Sequence, residues 1–405
     1  MCGILALIYP KGCSPSSRQL ERIVNRMSHR GPDGMGVRIS GEIGFAHRRL
    51  AIIDVLDATQ PMVLPSGIKV TFNGEIYNFR ELRSTLIGCG HSFKYDSDTE
   101  VLLHAAEQWG PDCLNRLEGM FSLVVDDPIR GITWAARDRM GQKPLFAFDK
   151  RFFADIEHGF VSELKCILPE QNCNRVVSPN AVSRFLAYDF MPDSDGFFVG
   201  VQKVAPGELW IIDRDNLSKK PIRKKWYNLP FGRLDKVNKH QAIEQLDEQL
   251  DIATQRCMVA DVPLGVFLSG GIDSSLITAY ACRHINPNSL KTFSIGFDNP
   301  AFDESIYAQN VANHLGTKHH NLTVDSSDLL NIVPSILSAQ DEPFADPSII
   351  PTAILSRFAR EEVTVALSGD GGDELFLGYP TFVAENILSY FSWVPPEVFS
   401  NLANF

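Results

Sequence analysis

The chain has 405 residues, which at about 150 residues per domain indicates two or three domains. Apolar residues make up 44% and charged residues 21%, a globular composition that excludes wholesale disorder. The 38 basic and 49 acidic residues give a net charge of −11, which argues against a nucleic-acid or anionic-membrane partner because either would need a basic face.

The first part of the chain alternates short apolar runs with Gly, Pro and Asp, a pattern that predicts an α+β unit rich in antiparallel strands. A helix is predicted over 99–109, with Asp98 as its N-cap and Glu100 in its first turn. The predicted strands are 4–9, 37–39, 43–52, 68–72, 121–125, 132–136 and 145–148.

A looser bridge follows over about 166–235, with one predicted strand at 209–212. It is broken by Pro192, Pro206, Pro221 and Pro230. We therefore expect a first domain over 1–200, a linker over 201–235 and a second domain over 236–405.

The spacing of apolar residues changes in the second half of the chain. From Ile243 to Cys257 they recur every three or four residues, as on one face of a helix. Strands then alternate with helices, which predicts an α/β, doubly wound parallel sheet. The predicted strands are 265–268, 292–297, 321–324 and 363–367, and the predicted helices are 275–282, 305–315, 329–337 and 352–360.

Eight cysteines without a CxxC motif are typical of a reduced protein rather than a disulfide scaffold. The N-terminus has no signal-peptide pattern, and no apolar run approaches the about 20 residues of a transmembrane helix. We expect a cytoplasmic protein with no membrane partner.

Cys2 becomes the first residue once Met1 is removed. A terminal thiol beside its own α-amine, whose ordinary pKa is about 7.7 to 8.0, combines a nucleophile and a base. Four nearby runs add a guanidinium for a carboxylate, a carboxylate for an ammonium, and amide donors for an oxyanion. They are 29–34, 46–50, 72–78 and 96–100.

This set resembles the glutaminase domain of class II glutamine amidotransferases, and the runs 73–78 (Asn-Gly-Glu-Ile-Tyr-Asn) and 137–145 resemble asparagine synthetases specifically. The resemblance implies an N-terminal-nucleophile fold of four α/β/β/α layers. It also implies that Cys2 attacks the glutamine amide and that Asn73 and Gly74 form the oxyanion hole. The residues implied to bind glutamine are Arg49, Asn73, Gly74, Glu75 and Asp98.

Simpler structural interpretations of these residues remain. The Asn73–Gly74 pair is also typical of a type I′ hairpin turn, Asp98 of a helix cap, and Arg49 of a surface residue.

The segment Ser269–Gly270–Gly271–Ile272–Asp273–Ser274–Ser275 lies between a predicted buried strand and a helix. Small residues there let backbone N–H groups face a phosphate, and the helix N-terminus adds positive potential. The segment lacks the lysine and the spacing of a Walker A loop. It resembles the pyrophosphate loop of ATP pyrophosphatases, although a generic glycine turn is the alternative.

A second run, 367–374, also directly follows a strand and contains glycines and carboxylates. Two such loops can converge at the carboxyl edge of one sheet. Since Mg²⁺ favours one or two carboxylates together with phosphate oxygens, we predict Asp273 and Asp373 as its ligands, with a merely solvated or calcium-like loop as the alternative.

The resemblance further implies nucleotide contacts from Ser368, Gly369, Phe267 and Ile295, besides the loop residues Ser269, Gly270, Gly271, Asp273, Ser274 and Ser275. Asp370 stands where many relatives carry Glu, and it is implied to handle an acyl-adenylate as a catalytic residue.

Together these features predict a carbon–nitrogen ligase that makes asparagine from glutamine, aspartate and ATP with Mg²⁺, through a β-aspartyl-AMP intermediate, and they leave a homodimer open. The family normally continues past 367–374 into a helical region, so we expect a shortened C-terminus and an incomplete second domain. One alternative is an amidotransferase for another carboxylate. The other is a glutaminase-only or ligand-sensing fragment with an inactive synthetase half.

Overall fold

A computed structural model describes residues 1–192, 196–230, 238–301, 303–390 and 393. The chain divides into two compact units that interleave along the sequence. The first holds Met1–Gln241, Val259–Val262 and Leu329–Ala353, and the second holds Ala242–Met258, Pro263–Asp328 and Ile354–Phe405. The predicted domain boundaries stay a prediction, and positions 231–237 around the second boundary lie outside the described residues.

The first unit contains two six-stranded sheets, and its neighbouring strands pair antiparallel as predicted. The strands are β1 Gly3–Ile8, β2 Gly34–Ser40, β3 Ile43–Arg49, β4 Met62–Val63, β5 Lys69–Ile76, β6 Gly119–Asp127, β7 Ile132–Arg137, β8 Phe146–Asp149, β9 His158–Val161, β10 Val201–Lys203, β11 Glu208–Asp213 and β12 Ile222–Lys225. The helices of this part are α1 Ser17–Asn25, α2 Phe79–Gly88, α3 Asp98–Trp109 and α4 Pro179–Tyr188. One sheet has the order β10-β8-β9-β1-β3-β2, and the other β12-β11-β7-β6-β5-β4.

The alternation of side chains along the strands builds the layers. On β1, Ile4, Ala6 and Ile8 face a core that is shared with strands of the other sheet, including Val124 of β6. The intervening residues of β1 pack against α1, while α2 and α3 cover the outer face of the second sheet. The predicted four-layer α/β/β/α fold is therefore confirmed.

Several elements were absent from the sequence prediction. The helix α1 buries Leu20, Ile23 and Val24 at helical spacing, although only nine residues carry the pattern. Residues 201–225 of the predicted linker form three strands instead of one, and these strands complete the two sheets.

The second half alternates strands with helices. Its elements are α5 Lys239–Cys257, β13 Leu264–Phe267, α6 Ile272–His284, β14 Lys291–Phe297, α7 Ser305–Leu315, β15 Lys318–Val324, α8 Ser326–Ala339, α9 Ile349–Arg360, β16 Val365–Leu367, α10 Gly372–Phe376 and α11 Pro380–Ser389. The sheet has the order β15-β14-β13-β16, and its strands pair in parallel. This confirms the doubly wound prediction.

The strand order reverses at β13, since β14 lies on one side of it and β16 on the other. The loops that follow β13 and β16 therefore lie side by side at the carboxyl edge, where open α/β sheets bind ligands. Throughout the described ranges, the helices are too short or too polar to span a bilayer.

Candidate active sites

Cys2 lies just before β1, with its thiol against the residue that follows β3. The Leu50 N–H donates to Sγ at 3.4 Å, and Sγ lies 3.6 Å from the Leu50 carbonyl oxygen. With Met1 still attached, burial raises the pKa of this thiol. Arg30 fixes the main chain here, because its Nε donates to the Cys2 carbonyl oxygen at 2.8 Å while Nη1 pairs with Glu163 at 2.9 Å.

Arg49 ends β3 and is anchored to the loop that follows. Its guanidinium donates to the carbonyl oxygens of Val55 and Ile53, both at 3.1 Å. Asp33 supports the same segment, since its N–H donates to the Arg49 carbonyl oxygen and its carboxylate accepts the Ala51 N–H, both at 2.9 Å. Arg49 is thus held in place by the fold and is only partly exposed.

Asn73 and Gly74 lie inside β5, opposite Ser122 and Phe121 of β6. The hairpin interpretation of this pair is therefore wrong. Asn73 is 1% exposed, and its Nδ2 is buried without a hydrogen-bond partner among the described residues. A buried amide donor without an acceptor is costly, about 1–3 kcal/mol, so its presence calls for an explanation.

The Gly74 N–H points away from β6. The backbone groups of Phe121 bond to Asp138, so the Gly74–Phe121 pair is not a hydrogen-bonded pair of the ladder. On the same edge of β5, the Phe72 N–H donates to Gln60 and the Ile76 N–H donates to Asp98. The Gly74 N–H lies between these two and faces the same edge.

Gly74 is also sterically required. Its φ is 158°, and a Cβ there would overlap the Met120 carbonyl oxygen. Any larger residue would push β5 away from β6.

Two carboxylates lie together at the end of β5 and the start of α3: Asp98 is buried, and Glu75 is partly exposed. Burial raises the pKa of Glu75 well above its ordinary value, and the neighbouring Asp98 raises it further, whereas Lys143 opposes the shift. Burial likewise raises the pKa of Asp98 to about 6, although the Ile76 N–H donates to its Oδ2 at 3.0 Å.

The structure corrects the predicted cap of α3. Ser97 is the N-cap, and its Oγ accepts the Thr99 N–H at 3.1 Å. Asp98 is the first helical residue and faces β5 instead. Both the predicted cap position and the simple helix-cap alternative for Asp98 are wrong.

Sequence reasoning missed Lys143 as well as Arg30 and Glu163 at this site. Burial lowers the pKa of Lys143, and the charges of Glu75 and Cys2 counteract that effect. Lys143 belongs to the 137–145 run that carries the family resemblance, which is the one signal that could have identified it.

In the second unit, the loop after β13 is tightly organised. The Ser269 and Ser274 hydroxyls lie 2.9 Å apart, and the Ser269 N–H donates to the Ser274 Oγ at 3.2 Å. Gly270 has a φ of +83°, and a Cβ there would lie 2.5 Å from the Ala308 nitrogen. Gly271 then caps α6, in which the Ser275 Oγ is buried without a partner among the described residues.

The loop after β16 packs directly on this first loop. A Cβ at Gly369 would lie 2.7 Å from the Ser274 nitrogen, and a Cβ at Gly372 would lie 2.5 Å from Asp273 Oδ2. The predicted convergence of the two loops is thus present in the fold. Within the second loop, the Ser368 Oγ donates to Asp370 Oδ2 at 2.8 Å.

The remaining predicted nucleotide and metal residues lie on β13, β14 and α10. Phe267 ends β13 and packs against a core cluster with Phe293, and Ile295 lies on the neighbouring β14. Asp373 lies in the first turn of α10, with its carboxylate against Gly378.

Comparison with known proteins matches a glutamine amidotransferase domain to residues 1–227 and an asparagine synthase domain to residues 245–404. Asparagine synthetase [glutamine-hydrolyzing] 1 of Bacillus subtilis is 34% identical, over 98% of this chain and 61% of that protein. A putative asparagine synthetase of Methanocaldococcus jannaschii is 33% identical, over 94% of this chain and 76% of its own length.

A solved B. subtilis glutamine phosphoribosylpyrophosphate amidotransferase is 15% identical, with a TM-score of 0.40 over 80% of this chain and 81% of that one, too distant to carry an argument. The chain spans 61% to 63% of the length of the first relatives it matches. On the two domain matches and the similarity over 94% to 98% of its residues, the chain belongs to the asparagine synthetase family.

Proposed function

We propose that the protein is a glutamine-hydrolysing asparagine synthetase, which uses ATP and Mg²⁺ to make asparagine from aspartate and glutamine. The observation that carries the proposal is the buried Asn73 amide, whose Nδ2 has no acceptor among the described residues. Family membership and the two converging loops support the ATP-dependent half.

In the glutaminase step, Met1 is removed and the new α-amine takes the proton of the Cys2 thiol. The sulfur attacks the side-chain carbonyl carbon of glutamine, and the carbonyl oxygen becomes an oxyanion that accepts from Asn73 Nδ2 and the Gly74 N–H. The α-ammonium of Cys2 then gives its proton to the amide nitrogen, the C–N bond breaks and ammonia leaves. Water hydrolyses the thioester to glutamate and frees the Cys2 thiol.

Glutamine is held at its α-carbon end. Arg49 binds the α-carboxylate, Asp98 binds the α-ammonium, and Glu75 contacts the substrate. An incoming ammonium would favour ionisation of the buried Asp98, which supports this assignment because burial alone raises its pKa. Lys143 supplies a positive charge near Cys2 and Glu75 and serves as a positioning residue.

In the synthetase step, the loop 269–275 together with Ser368 and Gly369 binds the ATP phosphates, while Phe267 and Ile295 border the nucleotide. The aspartate side-chain carboxylate attacks the α-phosphate, giving β-aspartyl-AMP and pyrophosphate. Asp370 acts as a catalytic residue at this acyl-adenylate. Ammonia then displaces AMP to form asparagine.

The residues present fit Mg²⁺ by their donor chemistry. Asp273 and Asp373 offer hard carboxylate oxygens from the first turns of α6 and α10, which follow the two loops, and a Cβ at Gly372 would lie 2.5 Å from Asp273 Oδ2. The ion would neutralise charge on the phosphate oxygens, and the two carboxylates would hold it.

The location we propose is the cytoplasm, which the eight free cysteine thiols support. The homodimer remains a prediction.

The test is to incubate purified protein with glutamine, aspartate, ATP and Mg²⁺ and to quantify glutamate, AMP and asparagine. Matched amounts of all three are expected. Glutamate without AMP or asparagine would refute the synthetase and leave a glutaminase, and AMP formation that responds to another carboxylate but not to aspartate would identify a different acceptor.

A further inference from the structure

Three side chains outside the proposed glutamine site direct ligand atoms to one point. His91 follows α2, and His104 and Glu107 lie one turn apart on α3. His91 Nδ1 is 3.0 Å from His104 Nδ1 and 3.5 Å from Glu107 Oε2, and the third separation, His104 Nδ1 to Glu107 Oε2, is 3.6 Å. The cluster was not singled out from the sequence.

These separations match a tetrahedral zinc site. Bonds of about 2.0–2.1 Å from zinc to nitrogen or oxygen place neighbouring ligand atoms about 3.3 Å apart. The three observed edges of 3.0, 3.5 and 3.6 Å bracket that value. Two imidazoles and a carboxylate are also a donor set that divalent transition metals bind, and a purely oxygen-seeking cation such as Mg²⁺ is disfavoured.

The surroundings orient the ligands. His91 Nε2 lies 2.9 Å from Gln108 Oε1, an acceptor, and in the tautomer that donates from Nε2 the Nδ1 lone pair faces the cluster. Such an outer hydrogen bond is usual for a metal-binding histidine. The ring of Phe93 packs edge-on against His104 at 4.7 Å between ring centroids and limits its rotation.

The cluster also has an open side. It borders a cleft of about 630 Å³, which Lys94, Tyr95 and residues 62–66 line as well. Water or a small ligand can therefore reach a fourth coordination position, and a metal ion can enter.

We propose that His91, His104 and Glu107 bind one divalent transition metal, with zinc as the preferred ion. The metal ties the segment after α2 to α3, the helix that begins with Asp98. The metal would in this way stabilise the helix that supplies a proposed substrate ligand.

The first experiment measures zinc binding by equilibrium dialysis of chelator-stripped protein in excess Mg²⁺, which occupies hard carboxylate sites. We compare the wild type with His91→Gln, and we use His314→Gln as the matched control because His314 is an exposed histidine on α7. We expect His91→Gln to bind one equivalent of zinc less than the wild type and one less than His314→Gln. Equal zinc stoichiometry and affinity in all three proteins would overturn the proposal. Zinc bound by cysteine thiols does not affect the comparison, because all three proteins have the same cysteines.

The second experiment follows the thermal midpoint with and without zinc. Zinc is expected to raise it in the wild type and in His314→Gln, but not in His91→Gln. Gln108→Leu, which removes only the outer hydrogen bond, is expected to weaken zinc binding about 10- to 100-fold. Because His91 and Gln108 are not fully buried, these variants remain informative even if the buried His104→Gln variant fails to fold. An unchanged midpoint shift in His91→Gln would also refute the site.

Discussion

Replacing Asn73 with alanine should separate catalysis from stability. If the Asn73 amide donates to the oxyanion, its loss lowers kcat for glutamine hydrolysis by about 10²- to 10³-fold, equivalent to about 2.7–4 kcal/mol. The glutamine-binding groups Arg49 and Asp98 are untouched, so KM should change little. The expected defect is therefore in kcat.

Stability should behave differently. In the free protein the Asn73 Nδ2 is buried and finds no acceptor within the described part of the chain, so truncation removes a desolvation cost of about 1–3 kcal/mol. The lost packing of the truncated side chain opposes this gain by a similar amount. We expect the free energy of unfolding to stay within about 1 kcal/mol of the wild type.

The measurement combines glutamate release at saturating glutamine with denaturant unfolding. Ser122→Ala is the matched control, because the Ser122 Oγ is also buried with no partner in the described ranges and lies opposite Asn73 in the ladder. It should keep wild-type kcat. A folded Asn73→Ala variant with kcat within about fivefold of the wild type would refute the oxyanion assignment, since one donor is expected to contribute far more. An equal kcat loss in Ser122→Ala would show a general packing effect.

Three further predictions concern the proposed sites. Because the pKa of Asp98 is raised to about 6, kcat/KM for glutamine should fall about tenfold per pH unit below that value as the carboxylate is protonated; Asp98→Asn should lose both the activity and this limb of the pH profile. Gly369→Ala should abolish AMP formation but spare glutamate release, because its Cβ would lie 2.7 Å from the Ser274 nitrogen; normal AMP yield would contradict the packing of the two loops. Cys2→Ala should abolish glutamine hydrolysis while ammonium salts still support asparagine formation, and residual glutamate release would exclude Cys2 as the nucleophile.

The fold was largely predictable from the sequence, because apolar residues alternate clearly along the strands and recur clearly every three or four residues along the helices. The helix predicted over 305–315 matches α7 at both ends, and Gly316, with φ of +77°, ends it as glycine commonly does. The short edge strands β10 and β12 were missed, since three or four residues carry too little alternation to be distinguished from a loop.

Site residues that are close together in the chain could be predicted from the sequence, whereas contacts between residues far apart in the chain could not. Asn73 and Gly74 are adjacent in the chain, but their place inside β5 depends on pairing with β6. Ser97 and Asp98 are both good cap residues, and only the contact of Asp98 with Ile76 decides between them. Arg30 and Glu163 are 133 residues apart, so their ion pair has no local signal at all.

The buried carboxylates show how function works against stability here. The folded-state pKa of Asp98, about 6, is above its ordinary value of 3.8, so the folded chain binds this proton more tightly than the unfolded chain does. Ionisation of Asp98 therefore costs stability, and that cost grows as pH rises from about 4 to about 6 and is fully present at neutral pH. Glu75, whose pKa is raised in the same direction, adds to the penalty. A fold gains nothing by keeping a buried carboxylate next to a second, partly buried one, whereas a site for an amino acid's ammonium group gains the charge it needs.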